Sequence, residues 1–326
     1  MLGSNSALEL GPGLAVQSMG TGEGFTCAIV NRSAAAKVYC FGDNSFGITG
    51  DLSGVTHSDT QPPSSSGPVF FGTGIYPLGL GVGSTHACIL DNASRVRCWG
   101  SCVSNACGYS GPTNIGTASL AVAAAGAVNL GGYAVRALFV GFDHTAAVLA
   151  TGSLVAWGSN TYGELGAFAR DVDGANTGMH FMCTAPHCQL VGLGFGSSSE
   201  PSPPSLPYPA CAVPLPTNRS VTSMCFGMSH SCILWDNGQV SCAGAAYSGQ
   251  TGYGDTTTRS TQQSYASLPV IALPRNRTVV RLVCGDFFTL ISLNDGTVRS
   301  FGEAAATLSD LSRSATLSLT SSICRL

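Results

Sequence analysis

The residues best suited to chemistry in this chain are sulfur and imidazole, with 14 Cys and 6 His among 326 residues. They are densest in His180-FMCTAPHC, where His180, Cys183, His187 and Cys188 fall within nine positions. Four soft ligands in one loop could enclose a tetrahedral zinc ion. Adjacent His187 and Cys188 crowd a closed site, however, and no zinc-finger spacing is met, so a Cys183–Cys188 disulfide is the simpler expectation. No metal or other cofactor is expected. His86, His144 and His230 share one repeated position, which Phe25 and Phe288 occupy in other copies. A position that accepts Phe asks for a flat ring, and acid–base work needs a proton carrier.

Other chemistries find little footing. No Gly-x-Ser-x-Gly lies between a strand and a helix, and Gly192-LGFG lacks both the spacing and the following helix of a dinucleotide loop. Oxidised sulfur cannot serve as a nucleophile. The chain is therefore expected not to be an enzyme. With 14 Lys+Arg against 17 Asp+Glu and no basic run, it offers nucleic acid no electrostatic footprint. The apolar stretch from Ala118 to Val140 contains Asn129, Arg136 and several Gly, and reads as strand and loop with no membrane span.

The elements that position these residues come from a repeat. The copies are Gly22-EGFTCAIV…VYCFG, Gly83-STHACIL…VRCWG, Gly141-FDHTAAVL…LVAWG, Gly227-MSHSCIL…QVSCAG and Gly285-DFFTLISL…TVRSFG. A sixth is only a tail, Gly3-SNSALELG. Closing glycines at Gly3, Gly42, Gly100, Gly158, Gly244 and Gly302 leave gaps of 39, 58, 58, 86 and 58 residues. Fixed periods of this size mark stacked supersecondary units. The long gap contains one unit plus an insertion near Glu200-PSPPSLPYPA. Gly50, Gly108, Gly166 and Gly252 each follow a closing Gly by eight residues. Charged residues make up 10%, against about 25% in an average domain, and short apolar runs between Gly-rich turns indicate an all-β fold.

Each copy reads as a hairpin, turning at Asp236-Asn237-Gly238 in the fourth and Asn294-Asp295-Gly296 in the fifth. Centring on those turns sets Cys88 opposite Cys98, Ala146 opposite Ala156, Cys232 opposite Cys242 and Leu290 opposite Ser300. A longer loop sets Cys27 opposite Cys40. Cys stands at both places or at neither, as cross-strand disulfides require. Cys102 and Cys107 bracket a short loop and form a further expected pair. The pairing of Cys211, Cys225, Cys284 and Cys324 stays open. Sequons at Asn31, Asn92, Asn218 and Asn276 map to loops as candidate glycan acceptors. Together these features point to an oxidising compartment, extracellular or at the cell surface. MLGSNSALELGPG is no secretory signal. Both ends are cut inside the repeat, with Leu317-SLTSSICRL in the place of a strand leading into a further unit. A fragment of a longer polypeptide is expected.

Gly83-STHACIL…VRCWG and Gly141-FDHTAAVL…LVAWGSNTYGELG resemble the regulator-of-chromosome-condensation repeat family. The resemblance implies a β-propeller, typically of seven four-stranded blades. Residues 1–326 would then form a single domain of five recognisable blades and partial blades at both ends, with an insertion at about 167–220. Trp99 and Trp157, with Phe41 and Phe301, would fill the space between blades. Ala243 breaks that pattern, so the fourth blade is expected to pack less well. The Cys-bearing version looks more like extracellular crinkly-type receptor repeats than like the nuclear protein. The function expected is a monomeric, non-catalytic scaffold that binds a protein or glycan partner. Its contact elements would be the loops 51–81, 103–138, 167–220 and 250–275. The alternatives are a guanine-nucleotide exchange factor for a small GTPase, whose basic chromatin-directed elements are not found here, and an enzyme-inhibitor propeller.

Overall fold

The computed structural model describes residues 14–31, 35–52, 67–109, 113–166, 212–259 and 263–303, and the backbone of short strands at 180–184, 187–191, 206–207 and 324–325. Five antiparallel sheets follow the repeat. The first holds β1 (Val16–Thr21), β2 (Phe25–Val30) and β3 (Lys37–Gly42). The second holds β4 (Pro77–Val82), β5 (His86–Asp91), β6 (Val96–Ser101) and β7 (Asn114–Ile115). The third is β8 (Val135–Val140), β9 (His144–Leu149) and β10 (Leu154–Gly158). The insertion makes its own sheet of β11 (His180–Thr184), β12 (His187–Val191) and β13 (Leu206–Pro207). Strands β14 (Val221–Phe226), β15 (His230–Trp235) and β16 (Val240–Gly244) form the fourth blade. The fifth is β17 (Val279–Gly285), β18 (Phe288–Leu293) and β19 (Val298–Gly302). The fold is a β-propeller.

Blades stacked face to face bury their middle strands on both sides, which is why β5, β9 and β15 are mostly apolar or small after their opening His and are buried at every residue. The hairpin register pairs Cys27 with Cys40, Cys88 with Cys98, Ala146 with Ala156, Cys232 with Cys242 and Leu290 with Ser300. The inner pair of every blade has a register shift at one phase of the repeat: Val16/Ser18, Pro77/Gly79, Val135/Ala137, Val221/Ser223 and Val279/Arg281. A bulge there increases the twist of the strand nearest the axis.

Among the described residues the outermost strand is represented by β7 in the second blade and by a bridge from Gly244 to Arg259 in the fourth. One backbone bond recurs four residues before the closing Gly, from Val69 N to Val38 O, Val128 N to Val96 O, Val213 N to Leu154 O and Ile271 N to Val240 O. Tyrosine hydroxyls complete the edge. Cys98 N donates to Tyr109 Oη at 3.2 Å and that hydroxyl donates to Gly126 O at 3.0 Å. Tyr253 does the same between Cys242 N and Pro269 O. A side chain thus satisfies backbone groups that a full fourth strand would have paired. At the other edge, β20 (Cys324–Arg325) pairs antiparallel with β8, opposite Leu138 and Ala137. The open inner edge of β8 offers unpaired backbone groups to such a segment.

The second Gly of each turn lies tightly under a packed side chain. Gly50 faces Val69, Gly108 faces Trp157 and Gly252 faces Phe301, at 2.9, 2.9 and 2.6 Å from where a Cβ would stand. Gly166 faces the Tyr265 ring more closely still, at φ +63°. Gly249 has φ +74° and open space. Gly166→Ala should therefore cost about 2 kcal/mol more than Gly249→Ala in urea unfolding, because only the first adds overpacking to backbone strain.

Candidate functional site

The groups singled out in the sequence converge on the seams between blades. Opening glycines come first. A Cβ on Gly83 would lie 2.5 Å from His86 Cε1, and Gly227 stands likewise beneath His230, Gly22 beneath Phe25 and Gly285 beneath Phe288. The carbonyl of the next blade's opening Gly crowds Gly22, Gly83 and Gly227 from the other side. None of these glycines needs positive φ; they are required for space.

The rings then reach across the seam. His86 Nε2 lies 3.0 Å from Thr145 Oγ1, which itself donates to Ala106 O at 2.9 Å. His230 Nε2 lies 2.9 Å from Thr289 Oγ1, which donates to Gln250 O. Since each hydroxyl spends its proton on a carbonyl, each Nε2 must donate, and Nδ1 is left over the opening Gly without a partner. Burial, reinforced by the nearby His144, pulls His86 down to about 3 and His230 down to about 4. His144 differs. Its Nδ1 is 3.0 Å from Ser159 O and its Nε2 3.1 Å from Met228 O in the next blade. The buried Glu164 carboxylate lies 4.0 Å from Nδ1. Phe226 covers Gly141 in the place of the ring.

One carbonyl per turn, two residues before the second Gly, receives the next blade. Trp99 Nε1 donates to Ile48 O at 2.7 Å and Trp157 Nε1 to Ala106 O at 3.0 Å. Ser231 Oγ donates to Glu164 O. At the fourth blade Ala243 leaves room that Tyr265, fully buried, fills from the following connection. Its hydroxyl is 2.6 Å from Ser231 Oγ. The looser packing expected there does not occur, because a residue distant in sequence supplies the missing ring. Tyr265 carries no repeat signature, so the sequence gives no sign of it. Tyr109 and Tyr253 each follow the second Gly directly, a regularity visible in the chain.

Five disulfides join described residues. Cys27–Cys40, Cys88–Cys98 and Cys232–Cys242 cross their hairpins with Cα separations of 4.0–4.1 Å, and Cys102–Cys107 closes its loop. Cys225–Cys284 ties β14 to β17 across two blades. Cys183 and Cys188 oppose one another in the β11–β12 register. Their side chains, and those of His180 and His187, lie outside the described residues, as does Cys211. Sulfurs of Cys232 and Cys284 come within 4.8 Å of a His230 ring nitrogen. Both are oxidised, so this group has no thiolate for a metal. Asn92, Asn218 and Asn276 are exposed and Asn31 is half-buried. Asn92 also closes its loop, accepting from Tyr76 N and donating to Gly74 O.

At the axis the five inner strands enclose a cavity of about 700 Å³. Residues following the opening Gly rim it, bonded blade to blade from Glu23 N to Ser84 O, Ser84 N to Phe142 O and Met228 N to Asp286 O. Among the described residues no helix is long and apolar enough to cross a membrane.

Residues 135–164 match the family model of the regulator of chromosome condensation (RCC1) repeat. They run from β8 through the third hairpin into the turn that ends at Gly166. Human WBSCR16 shares the fold with a TM-score of 0.56 at 17% identity, over 90% of this chain and 63% of that one. The chain thus spans less than two thirds of that protein's length. Prp20p of Saccharomyces cerevisiae aligns at TM-score 0.47 and 17% identity, over 88% of this chain and 72% of its own. The CRINKLY ectodomain of the Arabidopsis thaliana receptor kinase ACR4 gives 0.40 and 17%, over 89% and 80%. Neither of these two similarities bears on function. No curated protein matches in sequence.

The buried histidines set the acid limb of stability. The fold keeps His86 and His230 neutral well below the pH at which unfolded histidines protonate, near 6.5. The unfolded chain thus binds more protons between about pH 6.5 and 4, and stability falls as pH drops through that window. The expected slope is up to about 1.4 kcal/mol per pH unit for each ring. Urea unfolding of the His86→Phe/His230→Phe variant should show a lower plateau and a flatter limb; an unchanged limb would refute the assignment.

Proposed function

We propose that this propeller of regulator-of-chromosome-condensation-type repeats is a non-catalytic docking scaffold for a protein partner, working outside the cell or at its surface. The observation that carries the reading is a set of aromatics on rigid turns, with Phe46 and Tyr247 exposed and Tyr162 half-buried beside Tyr247. Phe46, Tyr162 and Tyr247 follow the closing Gly of the first, third and fourth blades by three or four residues. Tyr247 is 65% exposed, and Tyr162 meets it edge-on at 5.7 Å across the seam. The turns beneath them are fixed by Asn44 Oδ1 accepting from Thr49 N, Asn160 Oδ1 from Leu165 N and Gln250 Oε1 from Ser248 N. Rigid, amphipathic rings held at the surface are the usual anchors of protein interfaces. The strongly shifted histidines are engaged in blade-to-blade bonds, which favours a structural use for them.

Five disulfides support the oxidising compartment. Exposed Asn92, Asn218 and Asn276 are the proposed glycan acceptors. A glycan partner, stacked on the same rings, is the variant of this reading that binding arrays would separate.

Once a partner is captured from the secreted fraction, Tyr162→Ala/Tyr247→Ala should weaken its binding about thirtyfold or more, with Tm unchanged. Surface plasmon resonance and thermal scanning read the two effects. Catalysed nucleotide release from a small GTPase, or affinity indifferent to both tyrosines, would overturn the proposal.

A further inference from the structure

We infer that Cys225–Cys284 is a thiol–disulfide switch that fastens the fifth blade to the fourth, and that a dithiol reductant opens it while the other four bridges among the described residues stay closed. Access sets it apart. Both residues are half-buried and border the axial cavity. The eight other bridged cysteines among the described residues are at most 4% exposed. An attacking thiolate must reach a sulfur along its bond, so burial protects those eight.

Placement sets it apart as well. The other bridges close loops within one blade, with partners 5 to 13 residues apart; this one joins partners 59 apart on two inner strands. A link across a longer loop restrains more of the chain. The blade it secures is thinly covered: β17 and β19 are exposed or half-buried along most of their length. With the bridge open, the described seam bonds that remain include Met228 N to Asp286 O, the His230–Thr289 pair and Thr289 Oγ1 to Gln250 O.

The chemistry balances with one dithiol. Its first thiolate attacks one cystine sulfur, forms a mixed disulfide and expels the other cysteine as thiolate. Its second thiol displaces the first cysteine, so the reductant leaves as a cyclic disulfide. Two electrons pass to the protein, and Cys225 and Cys284 end as thiols. The Cys284 sulfur lies within 4.8 Å of Cys232, so a released Cys284 thiolate also has the buried Cys232–Cys242 bridge beside it.

The test uses the folded, oxidised chain with limiting dithiothreitol, followed by alkylation and peptide mass spectrometry. Cys225 and Cys284 should be labelled at least tenfold ahead of any other bridged cysteine. Label on Cys225 and Cys242 together, from exchange of Cys284 onto Cys232, would count against the switch, because a second bridge would then have opened. Hydrogen exchange over Val279–Gly302 should quicken at least tenfold on reduction and return on reoxidation, while Pro77–Ser101 holds steady. Cys225→Ser/Cys284→Ser should exchange like the reduced protein. First labelling at Cys27, Cys40, Cys88 or Cys98, or reduction without faster exchange in the fifth blade, would overturn the inference; both readouts come from the natural chain, whatever the variant does.

Discussion

The constraint on which the rest depends is close approach of backbone between neighbouring blades. Neighbouring sheets pack face to face, so the strand nearest the axis touches the equivalent strand of the next unit. Opening glycines are squeezed between an overlying ring and the next blade's carbonyl. Gly108, Gly166 and Gly252 make room for the rings of Trp157, Tyr265 and Phe301. Hydrogen bonds then have to be placed where hydrophobic packing alone would not fix the rotation of one sheet against another. A single carbonyl per turn, at Ile48, Ala106, Glu164 and Gln250, takes that part.

Much of this was legible in the chain because it recurs. The three-residue turns set the hairpin register and with it the facing cysteines, and the eight-residue interval between glycines marked turns whose purpose the structure supplies. What recurs imperfectly was harder to read. Tyr265 does the work of a tryptophan from a different strand position, and nothing local distinguishes it. Cys225 and Cys284 stand one residue out of phase relative to their opening glycines, so the repeat did not suggest them as partners. The shift from ladder to single bond at the outer edge needed Tyr109 and Tyr253, whose hydroxyls act on backbone atoms eleven residues away.

The three aligned histidines show how far identity of position can mislead. His86 and His230 are neutral donors to a threonine, and a phenyl ring can stand in for their shape. His144 spans two carbonyls and faces a buried carboxylate. The difference arises outside the motif, from Phe226 taking the space above Gly141 and from Glu164 in the neighbouring turn. One alignment column thus contains two chemistries, and only the neighbours tell them apart.

The valine or isoleucine that meets the outer edge of each hairpin has a consequence for how such a chain can grow. Val69 and Val213 each precede the following opening Gly by fourteen residues, although the second connection is far longer. Extra sequence therefore enters upstream of the residue that restores phase. That interval is a graft point, where a foreign module can be spliced into a circular architecture and the next sector still seats as before.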